Sequence, residues 1–293
     1  MLRVILVALF LGPLLSSAAP GAPVQFPNTP DSVKFAVFGD SGTGDQAQRD
    51  IARQMSLLRQ RCAFDLVLMV GDNFLGSQKP ADLLEKFDRP YAALLQAGVR
   101  FQAVLGNHDE PHTIHYKPLN MNGKRYYSFT RGSVRFFALD SNTLDALQLV
   151  WLERTLRDAS ERWKIAYFHH ALYSNSARHG SNVDIRVILE PLFIKHGVNA
   201  AFSGHDHVYE RLTPQKDIQY FVSGAAGRLR KGDIRRSNTT AAAFDEDQSF
   251  MIVEIAGDQL FFEAVSRTGR TVDSGVLPNR NIPRISGTEG KRP

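Results

Sequence analysis

Apolar residues in this chain fall into short compact runs that alternate with longer stretches of helical spacing. Residues 33–38, 66–70, 101–105, 165–168 and 200–202 are apolar blocks bounded by glycine or polar residues, the pattern of strands buried on both faces. Between them, Ile51, Met55, Leu58 and Cys62 predict an amphipathic helix over 46–61. Leu83, Leu84, Phe87, Tyr91, Leu94 and Leu95 predict a second helix that stops at Gly98, and Leu147, Trp151 and Leu156 a third over 144–159. Ile185, Ile188, Leu189, Leu192 and Phe193 predict a fourth, bent at Pro191 and closed near His196. Residues 126–130 and 134–139, separated by Arg131-Gly132-Ser133, read as a β-hairpin. Strands over 208–212, 218–222, 251–255, 260–265 and 272–276 are expected to form a second, largely antiparallel sheet. The fold class is therefore α/β: two packed sheets flanked by helices, the first built from strand-helix-strand units. It occupies one domain over 30–278, and the Pro- and Gly-containing tail 279–293 is expected to be disordered.

What ends the runs carries the chemistry. Five of them stop at metal-liking residues: Phe38-Gly39-Asp40, Gly71-Asp72-Asn73, Gly106-Asn107-His108-Asp109, Phe168-His169-His170 and Gly204-His205-Asp206-His207. Singly, each has an ordinary explanation as a turn, a helix cap or a core histidine. Together they place oxygen and imidazole donors beyond the carboxyl ends of strands, where open α/β sheets gather ligands. Two divalent cations about 3.5 to 4 Å apart repel strongly and need a negative oxygen bridge, which a carboxylate supplies and an imidazole does not. The donor mixture suits zinc, manganese, iron or cobalt, and the absence of cysteine donors argues against copper(I) or an iron-sulfur cluster.

This series resembles the calcineurin-like metallophosphoesterase superfamily, whose members carry Asp-x-Gly, Gly-Asp, Gly-Asn-His-Asp/Glu, His and Gly-His-x-His in this order. Gly39-Asp40-Ser41-Gly42, Gly71-Asp72-Asn73-Phe74 and Gly204-His205-Asp206-His207-Val208-Tyr209-Glu210-Arg211 resemble purple (tartrate-resistant) acid phosphatases in particular. The resemblance implies a four-layer α/β/β/α sandwich of two mixed sheets. It also implies Asp40, Asp72 and His207 on one metal, and Asp72, Asn107, His169 and His205 on the other, with Asp72 as the bridge. His108 would touch the phosphate or protonate the leaving oxygen, and His179 would be a further substrate-facing histidine. At the position three residues after the bridging aspartate, where those phosphatases carry a tyrosine ligand, this chain has Leu75. A pair of divalent ions (Fe, Mn or Zn) is therefore expected in place of the purple iron(III) centre. The reaction implied is hydrolysis of a small phosphorylated substrate, a phosphomonoester in the first instance, by in-line attack of a hydroxide held between the metals. The alternatives are a phosphodiesterase acting on cyclic nucleotides or phospholipid headgroups, and a non-catalytic binding protein on the same fold.

Composition bounds this reading without changing it. The 293 residues carry a formal charge of +5, too mild to imply nucleic acid. Arg3, the apolar stretch 4–15 and the small residues Ser17, Ala18 and Ala19 read as a secretory signal peptide over 1–22, cut near Ala19, which implies a secreted or periplasmic protein with no later membrane span. Cys62 is the single cysteine, so no intrachain disulfide can form, and Asn238-Thr239-Thr240 is a glycosylation sequon. The basic group Arg228, Arg230, Lys231, Arg235 and Arg236 after Gly224-Ala225-Ala226-Gly227 is either a solvated loop or an overhang that holds an anionic substrate. Neither a serine-nucleophile elbow nor a P-loop surrounds Ser41 and Gly42.

Overall fold

The computed structural model describes residues 21–281, so the expected signal peptide, save Gly21 and Ala22, and nearly all of the expected tail lie outside the described residues. Two mixed sheets stand face to face. The first, in the order β13-β12-β11-β1-β2-β3, holds β1 (Val33–Phe38), β2 (Leu66–Met69) and β3 (Arg100–Ala103) in parallel. Its other strands, β11 (Ser249–Ala256), β12 (Gln259–Ser266) and β13 (Thr271–Pro278), join through an antiparallel seam that pairs Val33 with Ile255. The second runs β10-β8-β9-β7-β6-β5-β4 and contains the hairpin β4 (Tyr127–Arg131) and β5 (Val134–Ala138), then β6 (Trp163–Tyr167) and β7 (Ala200–Ser203). The strands β8 (Tyr209–Leu212), β9 (Gln219–Ser223) and β10 (Thr240–Phe244) complete it.

The expected grouping of the late strands is thus corrected. They are split, β8 and β9 joining the second sheet and β11 to β13 extending the first. Apolar alternation identifies a strand, but its partner is fixed by contacts far away in sequence, such as β1 against β11. β10 escaped the pattern because its Thr-Ala-Ala-Ala-Phe sequence is only weakly apolar.

Side chains explain the layers. Phe35, Val37, Leu68, Phe136, Ile165 and Phe202 fill the space between the sheets, with Phe35 edge-on to both Phe136 and Phe202. On the outer face of the first sheet, Ile51 and Met55 of α1 (Gln46–Leu58) pack with Phe87, Tyr91 and Phe101. Asp45 caps α1 by accepting from the Gln48 N–H. On the outer face of the second, Leu152 and Leu156 of the helix Ala146–Arg157 and Leu189 and Phe193 of the helix Val183–His196 close the sandwich. The latter runs through Pro191 and ends at Gly197 in the left-handed region.

The second predicted helix is interrupted. It consists of α2 (Pro80–Leu83), a π-helical turn over Leu84–Asp88, and α3 (Ala92–Gln96); the two longer helices are accordingly α4 (Ala146–Arg157) and α5 (Val183–His196). Arg89 keeps helical backbone, but Pro90 has no N–H to continue the ladder and Tyr91 leaves helical geometry, so the segment restarts after Tyr91.

Candidate metal centre

Asp40 follows β1, Asp72 follows β2, Asn107 follows β3, His169 follows β6, and His205 and His207 follow β7. The parallel strands of both sheets thus deliver all six side chains to one edge of the sandwich. Asp40, Asp72 and His205 adopt left-handed backbone, with φ of 55°, 49° and 69°. Such conformations cost non-glycine residues about 1 to 3 kcal/mol each and persist where the surroundings enforce them. Here the enforcement is visible: the Asp40 N–H donates to Gly71 O at 3.0 Å, and the His205 N–H donates to Asp40 Oδ2 at 2.9 Å. Gly106 admits this packing because a Cβ there would lie 2.1 Å from the Asp72 carboxylate.

Two donor nests share Asp72. In the first, Asp40, Asp72 and His207 each offer a ligand atom within 4.8 Å of the others, and His207 Nε2 stands 3.3 Å from Asp40 Oδ1. In the second, Asn107 Oδ1, His169 Nε2 and His205 Nδ1 form a triangle with sides of 3.0, 3.0 and 3.2 Å, and Asp72 Oδ1 is 3.5 Å from His169 Nε2. His169 Nδ1 donates to Val70 O at 2.9 Å, so its Nε2 carries a lone pair that faces the Asn107 oxygen. One proton can bridge one pair of these atoms; one cation satisfies them all.

Electrostatics gives the same result. Burial, then the charge of Asp72, holds the Asp40 carboxyl well above the usual carboxylate range, and burial raises Asp72 too. Asp40 Oδ1 is buried with no hydrogen-bond partner. Burial, reinforced by neighbouring histidines, drops His205 to about 2, and burial with Arg230 drops His207 to about 4; His169 is also lowered, first by burial. Neutral imidazoles around two crowded carboxylates are a donor set that fits divalent cations.

The two expected substrate-facing histidines lie at the mouth. The His108 N–H donates to Asp72 Oδ1 at 2.9 Å, its carbonyl accepts from Gln78 Nε2 at 2.7 Å, and its side chain is exposed. The His179 ring sits 4.1 Å from the His205 ring. Leu75 is buried and ties its N–H to Gly42 O at 2.9 Å. The basic segment lies against the first nest, because the Arg228 N–H donates to Asp40 O at 2.9 Å and the Arg230 N–H to His207 O at 3.0 Å.

Three bracing residues were not foreseen. Asp109 accepts from the N–H groups of Gly106, Asn73 and Phe74 and from Asn73 Nδ2, at 2.7 to 3.1 Å, which clamps the Asp72 and Asn107 loops together. Burial pushes its carboxyl up to about 7 while those N–H donors pull it down. Ser141 Oγ accepts from the N–H groups of His169 and His170 and bonds His170 Nδ1 at 2.9 Å. Gln78 secures His108 as described. Asp109 directly follows the Gly-Asn-His block and was visible as part of it; nothing in the sequence marks Ser141 or Gln78. The Asp109→Asn substitution turns an acceptor into a donor facing N–H groups, and we expect about a 10- to 100-fold loss of metal affinity, measured by competition with a chelator. Unchanged affinity would show that the clamp is dispensable.

Residues 33–209, more than half of the chain, match the calcineurin-like phosphoesterase family. Purple acid phosphatase 17 of Arabidopsis thaliana is 29% identical over 242 residues, covering 69% of this chain and 71% of that protein. Human tartrate-resistant acid phosphatase type 5 is 26% identical over 323 residues, covering 92% and 96%. Among solved structures, the purple acid phosphatase PPD1 of yellow lupin superposes with a TM-score of 0.71 at 18% identity, covering 89% of this chain and 55% of that one. GAP50, the anchor in the inner membrane complex of Plasmodium, superposes at 0.74 and 17%, covering 86% and 90%. These two likenesses establish the fold, that of metallo-dependent phosphatases. The chain belongs to the calcineurin-like phosphoesterase family, in which centres of two metals are usual, and is a metal-dependent phosphoester hydrolase related to the purple and tartrate-resistant acid phosphatases.

Proposed function

We propose that the protein is a phosphomonoesterase whose two metals are held by Asp40, Asp72 and His207 on one side and by Asp72, Asn107, His169 and His205 on the other. The observation that carries this reading is the convergence of oxygen and imidazole nitrogen donors from both sheets around Asp72. Divalent cations bound there would supply Lewis-acid charge at the phosphoryl oxygens and would let water act as nucleophile near neutral pH. Ser41, next to Asp40 in the chain, is fully buried and not placed to act as a nucleophile. Asp72 and Asp40 would supply the negative charge that offsets repulsion between two cations, and His169 is locked in one tautomer by Val70 O. The exposed His108, whose backbone N–H is fixed on Asp72 Oδ1, delivers a proton to the departing alkoxide, and His179 faces the phosphoryl group from beside His205. Export through the N-terminal segment belongs to the same proposal and predicts a mature chain that begins near residue 20, read by mass spectrometry.

The esterase reading is tested by comparing p-nitrophenyl phosphate with bis-p-nitrophenyl phosphate, with and without chelator. Chelator-sensitive hydrolysis that favours the monoester supports it. Exclusive cleavage of the diester would replace it with the phosphodiesterase reading.

A further inference from the structure

Two cavities open in sequence from the metal centre on the side of Asn107. The inner one, about 500 Å³, is lined by Asn107, Asp109, Asn142, Thr143 and His170. The outer one, about 670 Å³, is lined by Lys124, Tyr126 and Trp151. Ile114 and Arg125 belong to the walls of both, so the two are compartments of one groove. The compartments differ in chemistry. The inner wall combines the apolar Leu105, Pro111 and Ile114 with a few polar groups held in fixed orientation: Asn142 Nδ2 donates to Gly106 O at 3.0 Å, and the Asn142 N–H donates to Asp140 Oδ1 at 2.9 Å. At the boundary, Arg125 donates to Asp140 Oδ2 and to Asp145 Oδ2, both at 2.6 Å, which balances its charge and fixes its plane. The outer wall ends in an aromatic pair, the Tyr126 and Trp151 rings lying 5.0 Å apart and inclined at 48°. Both rings are half-buried, so they also present surface to the groove.

We propose that this groove is the leaving-group subsite and takes a nucleoside, which makes nucleoside monophosphates the preferred substrate class. The inference rests on the esterase reading above. Three features of the groove match three parts of such a ligand in order. The phosphoryl group lies at the Asp72 cluster, the hydroxyl-bearing sugar occupies the inner compartment beside Asn142 and Thr143, and the base reaches the Tyr126 and Trp151 rings. Lys124 stands exposed at the rim with no carboxylate within 4 Å among the described residues, and is available to a base carbonyl or ring nitrogen. In the reaction, water adds to phosphorus, the bond between phosphorus and the sugar oxygen breaks, and that oxygen takes up a proton, giving orthophosphate and a nucleoside.

The test has a binding arm and a turnover arm. The chain has two tryptophans, and Trp163 is buried with its Nε1 donating to Gly257 O at 2.9 Å, so a ligand-dependent change in emission reports Trp151. Adenosine 5′-monophosphate titrated onto the metal-loaded protein is expected to quench emission saturably, and ribose 5-phosphate is not. In turnover, the ratio of kcat/KM for adenosine 5′-monophosphate to that for ribose 5-phosphate is expected to fall about tenfold in Trp151→Ala, mainly through KM. Tyr126→Ala, which removes the other ring, serves as the second variant and is expected to lower the same ratio. Quenching without hydrolysis of either compound would sustain the subsite and defeat the esterase reading. Hydrolysis of both compounds at one rate with no quenching, or an unchanged ratio in both variants, would overturn the subsite and leave the esterase reading intact.

Discussion

Asp72→Asn is expected to lower phosphomonoester hydrolysis about a thousandfold or more and to reduce bound metal from two ions per chain to at most one. The substitution keeps the size of the side chain and removes the charge that both nests share. Asp72 is within 4.8 Å of donors from Asp40 and His207 and 3.5 Å from His169 Nε2, so it reaches both nests. The same variant separates electrostatics from misfolding through the stability of metal-free protein. Asp40 and Asp72 titrate above their ordinary range, first because they are buried. A carboxyl raised in the folded state binds its proton more tightly there than in the unfolded chain. Its contribution to stability is therefore complete at low pH and is lost as pH rises through the folded value. His205 and His207, lowered to about 2 and about 4, act in the opposite sense: their contribution is present above the unfolded histidine value and is lost as pH falls. The histidines and the carboxyls thus act against each other as pH rises from about 5 to 8, and the difference between the two proteins isolates the carboxyls: metal-free Asp72→Asn should lose less stability, or gain more, across that range than metal-free wild type, since one of the two crowded acids is gone. Thermal melts of both proteins across that range decide the matter. Parallel curves would mean that the carboxylates do not repel as their placement implies.

His108→Ala is expected to lower kcat about 100- to 10,000-fold for an ester with a poor leaving group, such as an alkyl phosphate, and much less for p-nitrophenyl phosphate. The reasoning is local. The backbone of His108 is fixed on both sides, by Asp72 Oδ1 and by Gln78 Nε2, while its ring is exposed beside the nests. A fixed backbone with an accessible imidazole suits proton delivery to an alkoxide, and a leaving group that departs as a stable anion does not need it. Metal content should be unchanged, which distinguishes this loss from that of Asp72→Asn. An equal loss on both esters would assign His108 to phosphate contact in place of proton transfer.

The site was legible in the sequence to the extent that each donor sits within a few residues of a strand end. Asp40, Asp72, Asn107, His169, His205 and His207 could be named because strand, glycine and donor lie together in the chain. The structure brings these side chains to one edge because β1, β2 and β3 in one sheet and β6 and β7 in the other run parallel. Residues that act across long separations left no such trace. Ser141 reaches His169 and His170 from nearly thirty positions away, and Gln78 reaches His108 from thirty. The pairing of β1 with β11 was hidden for the same reason. The break at Pro90 was available in the sequence, but the apolar spacing on either side of it masked the interruption. His170 lines the inner groove compartment 4.5 Å from the His205 ring, and only the folded geometry reveals that.

Elemental analysis of the purified protein before and after exhaustive chelation, with p-nitrophenyl phosphate hydrolysis followed on the same samples, bears most directly on whether Asp72 stands between two cations. The account predicts two metal ions per chain before treatment, none after, and loss of activity that returns when a divalent ion is restored. Metal-free protein that hydrolyses the ester at the full rate would contradict it.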